Sequence, residues 1–437
     1  MAAGANATLA ALAEGYMTPW AGTGITLDAV NDAHLHWADY RDTQWGGYVP
    51  LGEAHNRLLR INILSNQIYF VPCVGSKSVR RLTRQHAVLR LLQSVATTHG
   101  LPDADFVMTI SDRPTVPKHA VPAHRTPPPV FGYAQTPAHY SIPFPPVSFD
   151  PAQWNQLHAR IGTHPPLAAR QMSALWRGTC NSLCDMMRGR PCRLPRDADL
   201  LSRQVLLRAA KRCPQLCDVG VSAAHRNCPG FPARDAVPIA QHSRHAFLLH
   251  VDGNGFSGRL DELLTLGGAV LKQASPFAAF YYPLLRAGVH YEPLWRNLSD
   301  VCSRVDALAR GIDGSGRASA GVSRAETLAK AASAFARDFL SPPAIAQYVV
   351  ALLSTYARMQ RFQPTRHPDA VPWPASVPAH SKGLGRTGSL ALPRSKPQRD
   401  ARARNVKVTC LSASCCARHP KACRRQNGLG HAQNDKK

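Results

Sequence analysis

The sequence predicts an α/β protein, because short apolar runs typical of buried strands alternate with segments of helical periodicity. The alternation is clearest between residues 244 and 300, where an apolar run over 246–251 ends at Asp252-Gly253 and a glycine-rich turn follows. Leucines at helical spacing come next and predict a short helix, which Gly267-Gly268 would end. A second apolar run covers 269–272. A strand, a glycine-rich turn, a short helix and a strand form half of a nucleotide-binding unit.

The first part of the chain carries the same alternation. Residues 67–71 predict a strand, 78–97 an amphipathic helix and 106–110 a second strand. Residues 1–15 are small and alanine-rich, and they are predicted to form a disordered leader. A helix followed by a strand on each side of the chain's middle favours the α/β class.

The middle of the chain is rich in proline. Prolines between 114 and 151 exclude a regular helix, and five aromatic residues among them offer apolar anchors. We therefore predict an extended crossing between domains that lies against the protein body, since a flexible linker does not need aromatic anchors. A strand that ends in a turn is predicted over 174–179, and a helix over 200–210.

The composition is that of a globular protein with a basic tail. The chain has 437 residues and 44% hydrophobic content, enough for two or three domains. Its net charge is +25, and from residue 364 onward 15 Lys and Arg stand against 3 Asp, a net +12. The tail over 363–437 has no apolar period and is predicted to be disordered. The rest of the chain has no dense basic helix, so we expect no specific nucleic-acid binding.

Targeting signals are weak, and the cysteines leave two interpretations open. No run of 18 apolar residues is present, so the sequence predicts no transmembrane helix. Its start lacks the basic and apolar regions of a secretory signal peptide. The chain has 12 cysteines, and those between 180 and 228 lack the CxxC spacing of zinc sites. They are either disulfides of a lumenal protein or buried thiols.

Two polar residues near the ends of predicted strands are candidates for the chemistry, and Asp112 lies in a loop just after a strand, where open α/β folds put reacting groups. Asp112 can act as a general base, and the alternative is an Asp that forms a turn before Pro114. Arg177 can bind a phosphate or a carboxylate through its planar guanidinium, and the alternative is an exposed Arg beside the buried Trp176.

The glycine-rich turn is not one of the common phosphate or metal motifs. Gly253-Asn254-Gly255 lacks the strict dinucleotide pattern, and no Gly-Lys-Ser/Thr of a Walker loop follows. A calcium loop is excluded because Phe256 and Leu263 occupy positions where carboxylates are needed. Arg259 then stands in the first turn of a helix, where helix N–H groups and one guanidinium can hold a diphosphate without a metal.

Five blocks of sequence, in order and spacing, resemble the family 90 glycosyltransferases, the capsule-associated-protein and protein O-glucosyltransferase family. The resemblance covers about 16–362, and its longest block is the stretch described first. The blocks are YMTPWAGTGIT, DADFVMTISDRPTVPK, ALWRGT, HAFLLHVDGNGFSGRLDELLTLGGAVLKQASPFAAFYYPLLRAGVHYEPLWRNLSDV and FARDFLSPPAIAQYVVALLSTYARMQRF.

The resemblance implies a GT-B fold, in which two facing Rossmann-like domains hold a nucleotide-sugar in the cleft between them. Residues 16–165 would form the acceptor-side domain that carries the catalytic base. Residues 166–362 would form the nucleotide-sugar-binding domain. The leader over 1–15 and the tail over 363–437 lie outside both.

The resemblance also implies the reaction and its residues. A sugar, glucose or xylose, would pass from a UDP-sugar to a hydroxyl of a protein or glycan, with inversion and without a metal or other cofactor. Asp112 matches the family's catalytic base in its Asp-x-Pro motif, and Arg177 and Arg259 match arginines that offset charge on the UDP leaving group. The implied nucleotide-sugar contacts are Arg177, Gly178, Thr179, Gly253, Asn254, Gly255, Phe256, Ser257 and Arg259.

Location and partners follow from the same resemblance. The family implies the lumen of the endoplasmic reticulum or Golgi, a protein or polysaccharide acceptor, and membrane association only through an N-terminal segment outside this sequence. Cys180 stands where the animal O-glucosyltransferases have an Arg, and Ala279 where they have a Glu, and both changes bear on the donor. The alternative function is a catalytically decayed transferase scaffold that binds nucleic acid or an acidic polymer.

Overall fold

The α/β class is confirmed by two β-sheets with helices packed on them in a computed structural model of the protein. The structure describes residues 2–36, 58–71, 79–180, 202–222, 230–253, 255–310 and 320–374.

The first sheet is mixed. The chain first forms helices α1 (Ala2–Tyr16) and α2 (Leu27–His36), strands β1 (Leu58–Leu64) and β2 (Gln67–Val71), helix α3 (Val79–His99), and strands β3 (Ala104–Thr109), β4 (Val130–Gly132) and β5 (Ile142–Pro143). Strand β1 lies antiparallel between β2 and β3, whereas β3, β4 and β5 are parallel. The strands predicted at 67–71 and 106–110 and the helix at 78–97 are confirmed as β2, β3 and α3.

A tight hairpin joins β1 to β2. Its two turn residues, Ser65 and Asn66, have positive φ angles of 48° and 65°. Two such residues in succession match the twist of a two-residue hairpin. The Asn66 side chain holds the turn because its amide donates to Ala96 O at 3.0 Å and its oxygen accepts from the Leu101 amide at 2.9 Å. The hairpin is thereby tied to the end of α3.

The second sheet is fully parallel. Its strands are β6 (Gln171–Gly178), β7 (Cys217–Val221), β8 (His245–His250), β9 (Ala269–Gln273) and β10 (Glu292–Leu294). The helices in this part of the chain are α4 (Pro151–His158), α5 (Ser202–Ala210), α6 (Arg259–Leu263), α7 (Val301–Ala309), α8 (Ala320–Phe339) and α9 (Pro342–Met359). Strands β8 and β9 are buried along their whole length, as expected where helices cover both faces of a parallel sheet.

The strand order of this second sheet defines where a ligand can bind. The order is β10-β9-β8-β6-β7, so the chain first moves outward from β6 to β7 and then returns to the other side of β6 at β8. This is a doubly wound order with its switch point between β6 and β8. A crevice opens at such a point, beyond the carboxyl ends of the two strands.

One apolar core spans both sheets. It contains the first sheet, α9 and one face of the second sheet, represented by Leu248 and Val270. A second core lies on the opposite face, where Phe247 and Leu271 pack with α5 and α7. Helix α9 was predicted within the second domain, but Tyr348 and Tyr356 of α9 donate to Pro143 O and Asp105 O of the first sheet. The two-domain GT-B arrangement therefore stays a prediction.

The chain ends differ from the prediction. The expected disordered leader is helix α1, because Leu9 and Ala13 are fully buried and the helix packs along α9. The expected tail does not begin at 363, because strand β11 (Val371–Trp373) pairs with β2 at the edge of the first sheet. Trp373 contacts Phe70 there, with ring centroids 6.1 Å apart. Residues 375–437 lie outside the described residues.

The proline-rich segment was predicted as an extended crossing, and it also supplies β4 and β5 to the first sheet. Its aromatic anchors are confirmed, since Phe131, Tyr133, Phe144 and Phe149 are buried. Pro143 is tolerated in β5 because β5 is an edge strand, where a missing N–H does not interrupt the sheet.

Both interpretations of the cysteines occur in the described residues. Cys213 and Cys302 form a disulfide that joins the segment after α5 to α7, with 5.9 Å between their Cα atoms. Cys217 is a buried free thiol, and burial raises its pKa to about 11. Among the helices of the described residues, none is long and apolar enough to span a membrane.

The buried ion pair between β1 and β3 gives a test of the first sheet. Arg60 donates to both carboxylate oxygens of Asp105, at 2.9 and 2.6 Å, and neither side chain is exposed by more than 5%. We expect Asp105→Ala to lower the free energy of unfolding by about 3–5 kcal/mol, because the buried Arg60 charge loses its acidic partner and keeps only a neutral one, the Asn31 side-chain oxygen at 2.8 Å. Denaturant titration measures this change. The double variant Arg60→Met with Asp105→Leu should lose less, and an equal or larger loss would contradict this account.

Candidate active site

The predicted site residues of the second sheet come together at its switch point. Arg177 and Gly178 end β6, and Thr179 follows them, while Asp252 and Gly253 follow the end of β8. Strands β6 and β8 are parallel neighbours, so their carboxyl ends meet at one edge of the sheet. This edge is where doubly wound sheets bind ligands.

Arg203 of α5 joins the two strand ends. Its guanidinium donates to Thr179 O at 2.9 Å and to Asp252 O at 3.2 Å. A Cβ atom at Gly253 would lie 2.6 Å from Arg203 Nη2, so the guanidinium would have to shift if any other residue stood there. Arg203 lies within the helix predicted over 200–210, but it was not among the predicted site residues. Its partners lie 24 and 49 residues away, beyond any local pattern.

Arg259 begins α6 and is a half-buried cation. Its guanidinium carbon lies 6.0 Å from the centroid of the Trp176 ring, and its Nη1 would lie 3.4 Å from a Cβ at Gly178. No residue among those described forms a salt bridge with it. Burial lowers the pKa of Arg259, partly offset by the charge of Glu262. Burial raises the pKa of Glu262 to about 7, against the opposing effect of Arg259.

Asp252 holds the glycine-rich loop in shape. One of its carboxylate oxygens accepts from the Ser257 amide at 2.9 Å, and the other accepts from the Ser275 hydroxyl. Burial raises the pKa of this carboxyl, while the Ser275 bond and the nearby Lys272 lower it. Asp252 therefore stabilises the conformation of the loop through hydrogen bonds inside the protein.

The loop uses its backbone donors differently from the prediction. Helix N–H groups and loop amides were expected to hold a diphosphate, but α6 has only 5 residues. The amides of Gly253, Phe256 and Ser257 donate to Gly255 O, Asp112 O and Asp252 Oδ1. These three donors are satisfied inside the protein, and the role of the Arg259 side chain as a donor to a nucleotide stays a prediction. Asn254 lies outside the described residues.

Asp112 reaches this loop from the first sheet. It follows β3, and its carbonyl accepts from the Phe256 amide at 2.9 Å. A Cβ atom at Gly255 would lie 2.4 Å from that same oxygen, so the loops approach each other only with a glycine at this position. The structure thus brings the predicted base and the loop that leads to Arg259 together.

Arg84 of α3 orients the Asp112 carboxylate. Its Nη2 lies 2.6 Å from Asp112 Oδ1, and its Nη1 donates to Ile110 O at 2.9 Å. The Asp112 side chain is 32% exposed, so it remains open to solvent beside this pair. Arg84 was not among the predicted site residues, although an arginine on the polar side of the helix before β3 was a visible signal.

Arg177 is held by its own sheet. Its guanidinium donates to the Asp218 carboxylate at 2.6 Å and to Asp218 O at 2.7 Å, and Arg234 contacts the same carboxylate at 2.9 Å. Arg177 is buried, which excludes the interpretation as an exposed arginine. Its role as a nucleotide contact stays a prediction.

Asp261 of α6 joins three parts of the chain. It accepts hydrogen bonds from the Tyr281 hydroxyl, after β9, and from the Ser148 hydroxyl, in the proline-rich segment. Burial raises the pKa of Asp261 to about 7, although both hydroxyls lower it. A carboxyl that is protonated at neutral pH can also donate one of these hydrogen bonds.

The two positions that depart from the family pattern are both buried. Cys180 is disulfide-bonded and has no exposed surface. Ala279 is equally buried and belongs to the main apolar core, beside Phe280. Neither position presents a polar side chain to a ligand.

Comparison of the sequence with known protein families identifies the family to which the chain belongs. The chain belongs to glycosyl transferase family 90, whose family profile matches residues 50–388. The protein is therefore a glycosyltransferase, as the five sequence blocks indicated. The alternative of a decayed, nucleic-acid-binding scaffold finds no support in these comparisons.

Several named proteins are similar to the chain. The chain is similar to protein O-glucosyltransferase 1 of Mus musculus, with 24% identity over 65% of this chain and 68% of the relative. Protein O-glucosyltransferase 1 of Homo sapiens is 25% identical over 61% of this chain and 65% of the relative. The O-glucosyltransferase rumi of Drosophila melanogaster is 23% identical over 51% of this chain and 55% of the relative.

The contact between the two loops can be tested with one methyl group. Gly255→Ala places a Cβ 2.4 Å from Asp112 O, so the two loops must separate. We expect the free energy of unfolding to fall by about 1–3 kcal/mol, as for other overpacked sites. Gly22→Ala is the matched control, because a Cβ at Gly22 meets no atom within 4 Å. Chemical denaturation measures the free energy of unfolding of both variants. Equal values for the two would contradict the close approach of Gly255 to Asp112 O.

The Asp261 carboxyl predicts a pH dependence of stability. Its folded-state pKa of about 7 is raised above 3.8, so between these values the folded protein holds a proton that the unfolded chain has lost. The free energy of unfolding then falls as pH rises through this window, by about 1.4 kcal/mol per pH unit from this group. Asp261→Asn keeps partners for both hydroxyls and removes the titration. Unfolding of the variant from pH 4 to 7 should show a shallower fall than the unmodified protein, and parallel curves would contradict it.

Proposed function

We propose that this glycosyltransferase moves a sugar, glucose or xylose, from a UDP-sugar to a hydroxyl of a protein or glycan, with inversion and without a metal. The observation that carries the proposal is the meeting of Asp112 with the loop that leads to Arg259. A loop of the first sheet that carries a carboxylate thereby contacts a loop of the second sheet that leads to a cation. Glucose and a protein acceptor are favoured by the name of the relatives, protein O-glucosyltransferase.

The proposal includes the GT-B arrangement. The doubly wound order of the second sheet suits a nucleotide-binding domain, with the nucleotide at the β6–β8 switch point. The first sheet supplies the base from the end of β3. On this proposal the cleft lies between the Asp112 loop and the carboxyl edge of the second sheet.

Asp112 acts as the general base. Arg84 holds Oδ1 at 2.6 Å, which leaves Oδ2 for the acceptor hydroxyl. The acceptor oxygen forms its bond to the anomeric carbon while the bond from that carbon to the UDP oxygen breaks on the opposite side. The hydroxyl proton passes to Asp112, and the electron pair of the broken bond leaves with UDP.

Arg259 and Arg203 offset the charge that grows on the leaving diphosphate. Both guanidiniums lie at the Trp176 ring, 6.0 and 5.8 Å from its centroid. Fixed cations in a partly buried site stabilise developing charge more strongly than they do in water. They supply the positive charge that a metal ion supplies in other transferases.

The proposed compartment is the lumen of the endoplasmic reticulum or Golgi. The Cys213–Cys302 disulfide fits an oxidising compartment, where such bonds persist. Proteins and glycans with free hydroxyls are available there as acceptors.

The base is tested by Asp112→Asn. This change keeps the shape of the side chain and removes its ability to take a proton, so we expect kcat to fall by about 10²–10⁴-fold. The dissociation constant for UDP should remain within about twofold, because Asp112 does not bind the nucleotide. UDP release during transfer and calorimetric titration measure the two quantities.

Asp103→Asn is the matched control, because Asp103 precedes the same strand at its opposite end and accepts from the Ser65 amide. This variant should transfer sugar at the unmodified rate. Absence of UDP binding by the unmodified protein would refute the proposed donor, and full transfer by the Asp112 variant would refute the proposed base.

A further inference from the structure

Lys272 is a buried cation at the carboxyl edge of the second sheet. It lies near the end of β9, opposite His250 of β8 in the parallel register, and is only 8% exposed. Its side chain therefore shares the edge of the sheet with Asp252 and the glycine-rich loop. Neither the proposed base nor the proposed leaving-group contacts make use of it.

The Lys272 ammonium has weak partners. Its hydrogen bond to Gln273 O is long, at 3.4 Å, and within the described part of the chain it forms no salt bridge. The rings of Tyr282 and Tyr291 flank it, with centroids 4.9 and 5.5 Å from Nζ. The Asp252 charge acts on it from a distance, but both Asp252 oxygens already accept from Ser257 and Ser275. Burial lowers the pKa of Lys272, and a buried charge with so little compensation is costly.

Two buried polar atoms belong to side chains that adjoin this ammonium. The Nδ1 atom of His250 and the hydroxyl of Tyr282 have no hydrogen-bond partner among the described residues. His250 is buried, and burial holds the pKa of its imidazole well below 6.5, with the charges of Lys272, Arg259 and Arg203 acting in the same direction. Buried polar atoms without partners are rare, and a ligand is one explanation for them.

We propose that Lys272, His250 and Tyr282 form a subsite for an anionic oxygen of the donor, which we assign to the distal phosphate of the nucleoside diphosphate. The inference rests on the proposed function and adds a binding group to it. An ammonium, a hydroxyl and one N–H of a neutral imidazole can all donate to one phosphate oxygen. A carboxylate on an acidic sugar has the same chemistry and is the other source of such an oxygen.

The position of the subsite favours the phosphate. Strand β9 is the direct neighbour of β8, whose end leads to the glycine-rich loop and Arg259. Lys272 stands opposite His250 in the strand register, and Arg203 and Arg259 both lie against the Trp176 ring at the end of the neighbouring strand β6. A diphosphate carries enough negative charge to offset several cations there, whereas Asp252 offers a single carboxylate.

The test is Lys272→Met, which removes the charge and keeps the length of the side chain. Calorimetric titration with UDP, UDP-glucose and pyrophosphate should show affinities about 10–100-fold lower, because a charge-assisted hydrogen bond is lost. Uridine, which lacks phosphate, should bind as before. Tyr282→Phe removes one hydroxyl, and we expect a smaller loss, about threefold to tenfold.

Two readouts separate a binding role from a structural one. Lys272→Met should raise the melting temperature of the ligand-free protein, by about 2–4 °C, because a poorly compensated buried charge is removed. Lys211→Met is the control, since Lys211 is exposed with its ammonium 4.4 Å above the Phe231 ring, and it should change neither affinity nor melting temperature. A lower melting temperature of the Lys272 variant would overturn the inference.

The remaining outcomes are equally decisive. UDP-glucuronate, a nucleotide-sugar with an acidic sugar, is titrated as a further probe. If this probe alone binds more weakly to Lys272→Met, the subsite stands and its occupant is the sugar carboxylate. If pyrophosphate binding depends on Lys272 while the unmodified protein binds no uridine nucleotide, the subsite stands and the proposed donor fails. Unchanged affinity for all these probes would overturn the subsite, whether or not UDP binds.

Discussion

The site depends on one close approach between two backbones. Asp112 O accepts from the Phe256 amide at 2.9 Å, and Gly255 lies so near that a methyl group would be 2.4 Å from the same oxygen. One loop follows β3 of the first sheet and the other follows β8 of the second. This contact therefore sets the position of the carboxylate relative to Arg259, and a larger side chain at 255 would separate two groups that the proposed reaction needs together.

Charge is the second constraint on the site. The charges of Arg203, Arg259 and Lys272 all lower the pKa of His250, while burial raises the pKa values of Asp252 and Glu262, to about 7 for Glu262. Burial thus weakens the negative charges within the protein that could neutralise the cations. Cations that are poorly compensated within the protein cost stability in the free protein and favour an anionic ligand, which on the proposed function is the diphosphate.

Much of the fold was predictable because its signals are local. The apolar run of β8, the helical periodicity of α3 and the glycines that end the helix after α6 can each be recognised from residues a few positions apart in the sequence. The leader and the starting point of the tail were predicted wrongly for the same reason. Helix α1 is weakly amphipathic and is held by packing on α9, and β11 has 3 residues whose pairing with β2 spans some 300 positions of the chain.

The sequence by itself determined the chemical groups and the class of protein: Asp112 after a strand, Arg259 behind a glycine-rich loop, and the ordered blocks of a glycosyltransferase family. Only the tertiary structure decided which groups meet. In the folded protein Arg177 binds Asp218 and Arg84 binds Asp112. Arg203 donates to the segments that follow β6 and β8. The reason is physical: periodicity and turn chemistry act over a few residues, whereas these contacts depend on how two sheets pack across one shared core.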